Sequence, residues 1–387
     1  MVSDNTSRRT FCALAAAALP SLSLAQVSPH FNVADFDRTR TLAAANQALE
    51  RKPAALGEKD YRSDDPTYFP DEDNARGPYV RREGYTNPAA FTAHRDALVQ
   101  LNAQVSALTA AWRITAELRF ATHALAHLHA WFLDPATSMN PNLELAGRLL
   151  NTPYGTWRGV EETTCIAGIV RAASFLCAPN APATDAEATG LRTWFNTFAT
   201  WLNESKKGGL ARDAKDRLAI CWTMQAAECA RFARNEALLL QCSHRFRDKL
   251  LRQMNFDGAF PLEVHRADSF AASIFTLDCL SLACESLSTP FDRLWDFTLA
   301  DGRGMRSAVA YLYPALNNRA RWAFPADVQH FSGQPARQPS LLLAGRAYGR
   351  TEYIETWQRL PAEPRTPDML RYFPVREPAL WTTRVPA

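Results

Sequence analysis

Rigid amides beside a carboxylate are the first chemistry the sequence offers. Met139-Asn140-Pro141-Asn142 forms a polar bend, and Glu144 follows directly. Pro141 fixes its own φ and pushes Asn140 into an extended conformation. Asn140, Asn142 and Glu144 therefore stand at defined angles, an arrangement that suits a sugar hydroxyl or a uronate. The same residue types also cap helices and make turns, so that reading stays open beside the first. His123, His127 and His129 form a second cluster. His123 and His127 are four residues apart, which puts both on one helix face at a spacing that zinc sites use. No Glu or Cys ligand lies near them in sequence, so neither a metal nor another cofactor is expected.

The bend sits inside a longer pattern. Trp131-Phe132-Leu133-Asp134-Pro135-Ala136-Thr137 precedes Met139-Asn140-Pro141-Asn142-Leu143-Glu144. Gly77-Pro78-Tyr79-Val80-Arg81-Arg82-Glu83-Gly84 and Asn87-Pro88 come earlier. Asp257-Gly258, Pro261-Leu262-Glu263 with Arg266, Leu294-Trp295 and Asp301-Gly302-Arg303 come later. In this order the segments resemble the alginate lyase family, polysaccharide lyases with an α/α-toroid fold. The resemblance runs from about Tyr61 to about Phe331. It implies β-elimination on an acidic, uronate-containing polysaccharide such as alginate. It also implies a cleft lined by the segment 30–87, in which Tyr61, Ser63, Pro70 and Asp71 match.

A uronate lyase must neutralise the carboxylate, remove the adjacent C5 proton and protonate the leaving oxygen. In the family an Asn-His pair near the start of the fifth helix serves the first two tasks, and an Arg and a Tyr farther on complete the site. Anchored on Lys215 and Gln225, the alignment puts Arg217 on the Asn and Leu218 on the His. Glu263 and Arg266 persist, but Ala272 and Ser273 stand where the Tyr is expected. A replacement site around Arg217, His265 and Arg266 would use His265 as base, Arg217 on the uronate carboxylate, and Tyr61 or Tyr68 as proton donor. Tyr61, Arg62, Asn140, Asn142, Glu144 and Glu263 are the expected substrate-binding residues. Two functions follow: a lyase with a rearranged site, or a catalytically silent relative that binds glycan or a partner protein through the same cleft. A hydrolase would need two facing carboxylates, for which Glu144 and Glu263 are the pair to test.

The elements that must position these residues are helical. Leu98, Leu101, Val105, Leu108 and Trp112 recur at spacings of three and four, a clean amphipathic stripe. Further helices are expected to end at Phe132, to cover 159–176, to carry Leu191 to Leu202 with a stop at Gly208-Gly209, and to span 216–233, 236–254, 269–286, 306–312 and 341–348. Strand-like alternation is essentially absent. Successive helices with short polar breaks imply antiparallel hairpins, so periodicity alone gives an all-α chain, and the toroid comes from the resemblance. The segment 30–87, rich in Asp, Pro, Arg and Tyr, reads as an irregular arm. One domain is expected over 26–375, with a C-terminal tail over 376–387 as the end of a Pro- and Arg-rich stretch that wraps the surface.

Composition bounds the partners. The 387 residues are 47% hydrophobic and 21% charged, as in an ordinary soluble globular protein. With 43 basic and 40 acidic residues the net charge is only +3, too balanced for a nucleic-acid binder but open to a local positive groove. Ser7-Arg8-Arg9-Thr10-Phe11, the apolar run Ala13 to Leu24 and the small-x-small site Ser23-Leu24-Ala25 read as a twin-arginine signal peptide over 1–25. The expected compartment is the periplasm or beyond. Past the signal no stretch reads as a membrane span. The seven cysteines beyond Cys12 form no Cys-x-x-Cys and sit among apolar residues, which suggests small buried side chains rather than disulfides.

Overall fold

The computed structural model describes residues 31–74, 78–149 and 152–386. The proposed signal peptide lies outside them. Eleven helices longer than two turns organise the described chain: α1 (Arg38–Leu49), α2 (Ala93–Thr115), α3 (Leu118–Phe132), α4 (Ile166–Leu176), α5 (Asp185–Glu204), α6 (Arg217–Ala233), α7 (Glu236–Arg245), α8 (Ser269–Leu287), α9 (Met305–Asn317), α10 (Pro339–Tyr348) and α11 (Thr351–Arg359). Strands are few and short. β1 (Arg62–Asp64) pairs in parallel with β4 (Leu145–Arg148), and β2 (Tyr68–Phe69) pairs antiparallel with β3 (Val80–Arg81).

The helices alternate between an inner and an outer layer. α2 packs on α4, α4 on α6, α6 on α8 and α8 on α10. Each returning helix covers this inner row from outside: α3 on α2, α5 and α7 on α6, α9 on α8 and α10, and α11 on α10. The sequences fit their layers. Every residue of α4 is buried, and nearly every residue of α6 and α8. α5 carries one apolar stripe, Leu191, Trp194, Phe195, Phe198 and Leu202, with polar residues opposite. A helix apolar all round belongs inside and a one-sided helix belongs at the edge. Ser269–Leu287 is in fact long and apolar enough to cross a membrane by length and composition, contrary to the sequence reading, yet 89% of that stretch is buried within the fold. This alternation is an α/α toroid. Inner helices touch closely: a Cβ on Gly168 would lie 2.3 Å from Asn102 Oδ1.

Several boundaries differ from expectation. α1 lies inside the segment read as irregular, because its apolar face consists of Ala45 and Ala48 rather than large residues. α5 ends at Glu204, where Ser205 accepts from Gly208 N and starts a short new turn, Lys206–Arg212, so the two glycines lie inside that turn. α7 gives way at Phe246 to a wider turn. The C-terminal stretch is built into the body instead of lying over it. Glu377 is 2% exposed and binds Arg40 at 2.8 Å, and Trp381 is 3% exposed. All seven described cysteines are buried and unpaired.

Candidate functional site

The N-terminal ends of the inner helices converge on one place. Arg95 lies in the first turn of α2, Arg217 opens α6, Asp268 caps α8 and Gln338 caps α10. Glu161 and Glu162 sit on the turn Gly159–Glu162 just before α4. All six border two adjoining cavities that share Pro66, Thr67, Arg217, Arg266 and Tyr372 in their walls. Several of their first N–H groups already donate to carboxylates, Arg217 N to Glu263, Phe270 N and Ala271 N to Asp327 and Ser340 N to Asp278, so what the convergence offers an anion is the positive dipole ends.

The smaller arm is an arginine pocket. Arg81, Arg95, Arg158, Arg217 and Arg266 face it against Asp65, Glu161 and Glu162. Arg217 is committed: Nη2 and Nε donate to Glu161 Oε1 at 2.7 and 3.1 Å, and Nη1 lies 3.4 Å from Glu263 Oε2. Burial pushes Glu161 up, but Arg217 outweighs it and holds the carboxyl below its usual range. Burial wins at Glu263, which is raised despite Arg217 and Arg266. Arg266 is shared among Glu83 at 3.0 Å, Asp268 at 3.2 Å and Glu263 at 3.7 Å.

Arg95 differs. It is 1% exposed, and its Nε and Nη2 have no hydrogen-bond partner. Its guanidinium stands 4.7 Å from the Tyr372 ring centroid. The nearby Glu162 does not pair with it but accepts from Ser63 Oγ, and burial pushes that carboxyl up to about 7. A buried cation with unmet donors is costly, and an incoming carboxylate would satisfy it.

The larger arm is more apolar. Ala271, Ala272, Ile274 and Phe275 of α8 form one wall, and Tyr85, Gln329, His330 and Asp368 stand on the rim and opposite side. Gly84 turns there at φ +79°, and a Cβ would lie 2.6 Å from Val328 Cγ2.

The model of the alginate lyase family matches residues 44–322, most of the chain. The chain belongs to the alginate lyase family. An alginate lyase from Bacteroides ovatus has the same fold with a TM-score of 0.77 at 22% identity, over 91% of this chain and 94% of that one. An alginate lyase from a Sphingomonas species gives 0.55 at 14% identity, over 87% and 94%. A tyrosine-to-phenylalanine variant named for the same enzyme, in complex with a tetrasaccharide, gives 0.52 at 17%, over 78% and 84%. No curated protein matches the sequence.

Within this alginate lyase fold the expected site residues separate. Arg217 and Arg266 stand in the cavity wall, and Glu263 lies buried behind them. His265 does not join them. It is exposed and packs edge-on against Phe324 at 5.8 Å, because the Pro261–Val264 turn points it outward while aiming Glu263 inward. Tyr61 is 1% exposed beneath the arm, packed near the His94 ring, and cannot reach a substrate. Tyr68 is absent from both walls. Arg62 lies over Phe91 at 4.4 Å and pairs with Glu58.

The bend is a clamp. Asn140 N donates to Lys59 O at 2.7 Å and its Nδ2 to Asp60 at 2.8 Å, Asn142 Oδ1 accepts from Glu144 N, and Glu144 binds Trp201 Nε1 and Lys207 Nζ at 2.8 Å each. None of the three borders either arm, so Glu144 and Glu263 do not face each other across a substrate site. The rings of His123 and His127 are 4.9 Å apart, but His123 Nε2 is bonded to Arg51 O, and burial lowers His127 to about 4. Among the described residues no group of three His, Cys, Asp or Glu could hold a metal.

Sequence reasoning missed Arg95, Tyr372 and His330. Arg95 had a signal: it lies three residues before Leu98 on the buried stripe, where a charge is out of place. Tyr372 was hidden in the segment read as surface wrapping, and His330 carried no local pattern.

Proposed function

We propose that this protein is an exported lyase that cleaves a uronate-containing polysaccharide such as alginate by β-elimination. The observation that carries this reading is the arginine arm, with five guanidiniums against three carboxyls and Arg95 left without partners for two of its donors. A carboxylate bound there has its charge offset, which acidifies the neighbouring C5 proton. The larger arm then takes the sugar ring and the chain on either side. Family membership and the alginate lyases that share the fold support the same substrate class. The twin-arginine pattern at Arg8 and Arg9 supports export to the periplasm.

A second reading rests on its own observation. Leu218, Ala272 and Ser273, where the base and acid are expected, are 1, 1 and 2% exposed and offer no competent base or acid to the cavity. If nothing replaces them, the cleft binds glycan without cleaving it. Incubation of the mature protein with a panel of uronate polysaccharides separates the two. The lyase reading expects the ultraviolet absorbance of the unsaturated product to grow. Tight binding without that absorbance would establish the silent relative.

A further inference from the structure

We propose that His330 takes the C5 proton and Tyr372 protonates the leaving oxygen, in place of the pair expected at Leu218 and at Ala272 or Ser273. The assignment rests on the lyase reading above. Among the described residues bordering the two arms, His330 is the sole histidine. Its Nε2 lies 3.3 Å from Asp368 Oδ2, and the other oxygen of Asp368 accepts from Arg371 Nη1 at 2.8 Å. A carboxylate can only accept, so it fixes Nε2 as the donor, orients the imidazole and makes Nδ1 the nitrogen that can act as base. The backbone supports a positioned residue as well. His330 adopts φ +60°, a left-handed conformation uncommon for a side-chain-bearing residue and concentrated at functional sites.

Tyr372 occupies the junction. It borders both arms, whereas Tyr85 borders only the larger one and is 43% exposed. A uronate whose carboxylate enters the arginine arm must place its ring and glycosidic oxygen at this junction. The Tyr372 ring is held by the Phe275 edge at 5.2 Å and by Arg95 and Arg217 at 4.7 and 6.0 Å. Burial raises its hydroxyl pKa, with Arg95 opposing, so the proton is present at neutral pH and available to give.

The step balances. His330 Nδ1 accepts the C5 proton. The C5–H electron pair becomes the C4=C5 double bond as the C4–O bond breaks. The departing oxygen keeps the bonding pair and takes the Tyr372 proton. The resulting imidazolium and phenolate then exchange one proton through solvent, which restores both.

The test uses the full mature chain with a uronate polysaccharide and three variants: His330→Ala, His330→Gln and Tyr372→Phe. Each is expected to lower kcat by about a hundredfold or more, with glycan binding kept within a few fold. Free imidazole should restore part of the rate of His330→Ala and none of Tyr372→Phe. Circular dichroism and the melting temperature exclude misfolding as the cause, and the near-isosteric His330→Gln and Tyr372→Phe cover a failure of the alanine variant to fold. Folded variants within about threefold of an active wild type would overturn the assignment and leave the lyase reading standing. A wild type that binds the glycan and releases no unsaturated product would overturn both.

Discussion

The Asn140–Glu144 bend and the arginine arm make opposite uses of polar residues. At the bend each of the three side chains that sequence reading offered to a sugar has a protein partner: Asn140 binds Asp60, Asn142 accepts from Glu144 N, and Glu144 ties Trp201 to Lys207. In the arm a fully buried guanidinium has donors to spare. The bend comes from one short, distinctive string, while the arm's five arginines come from five separate places in the chain. Here the distinctive string marks a shape that is kept, and unmet hydrogen-bonding capacity in a cavity wall marks the place for a ligand.

Four substitutions sharpen or break that contrast. Arg95→Met should have the largest effect. Loss of a charge-assisted bond worth about 1.5–3 kcal/mol lowers uronate affinity roughly ten- to a hundredfold, read by calorimetric titration with an acidic oligosaccharide. Unchanged affinity would remove Arg95 from the site. Glu162→Gln comes next and is read by melting temperature against pH. Burial raises the folded-state carboxyl to about 7, above the usual value near 4.3. Between those values the folded protein keeps a proton that the unfolded chain has released, so stability falls as pH rises through the window. The wild type should therefore lose a few degrees relative to Glu162→Gln between about pH 4.5 and 7.5. Asp278, also raised to about 7 by burial, titrates in both proteins and cancels in the difference. Parallel curves would contradict the burial argument.

Asn140→Ala should act only on folding, lowering stability by about 1 kcal/mol with uronate affinity unchanged. A drop in affinity at constant melting temperature would turn the bend back into a binding site. His265→Ala should do least, with turnover and stability both near wild type, since the ring is exposed and touches no cavity wall. A large loss of turnover there would restore the expectation from sequence.

Much of the fold was legible because burial has a period. Leu98, Leu101, Val105 and Leu108 marked α2, and the Arg217–Ala233 and Ser269–Leu287 helices fall within a residue of where the pattern put them. α1 was not legible, since alanines supply its buried face and leave no strong stripe. The site was legible only in part. Arg217 comes from a helix start, and Glu263 and Arg266 from the turn leading into α8, both of which the sequence pattern marked. Neighbours in sequence misled: His265 sits beside Arg266 in the chain but on the other side of a tight turn, so adjacency carried no information about direction. Tyr372 meets Arg95 only through a contact spanning almost 280 residues, which no local window contains.

The most direct measurement compares one polysaccharide before and after chemical reduction of its carboxyl groups, following the absorbance of the unsaturated product. Elimination guided by an arginine arm predicts steady product from the uronate polymer and none from the reduced one, because the neutral sugar neither binds Arg95 nor has an acidic C5 proton. Equal cleavage of both, or new reducing ends without the double-bond absorbance, would contradict the account.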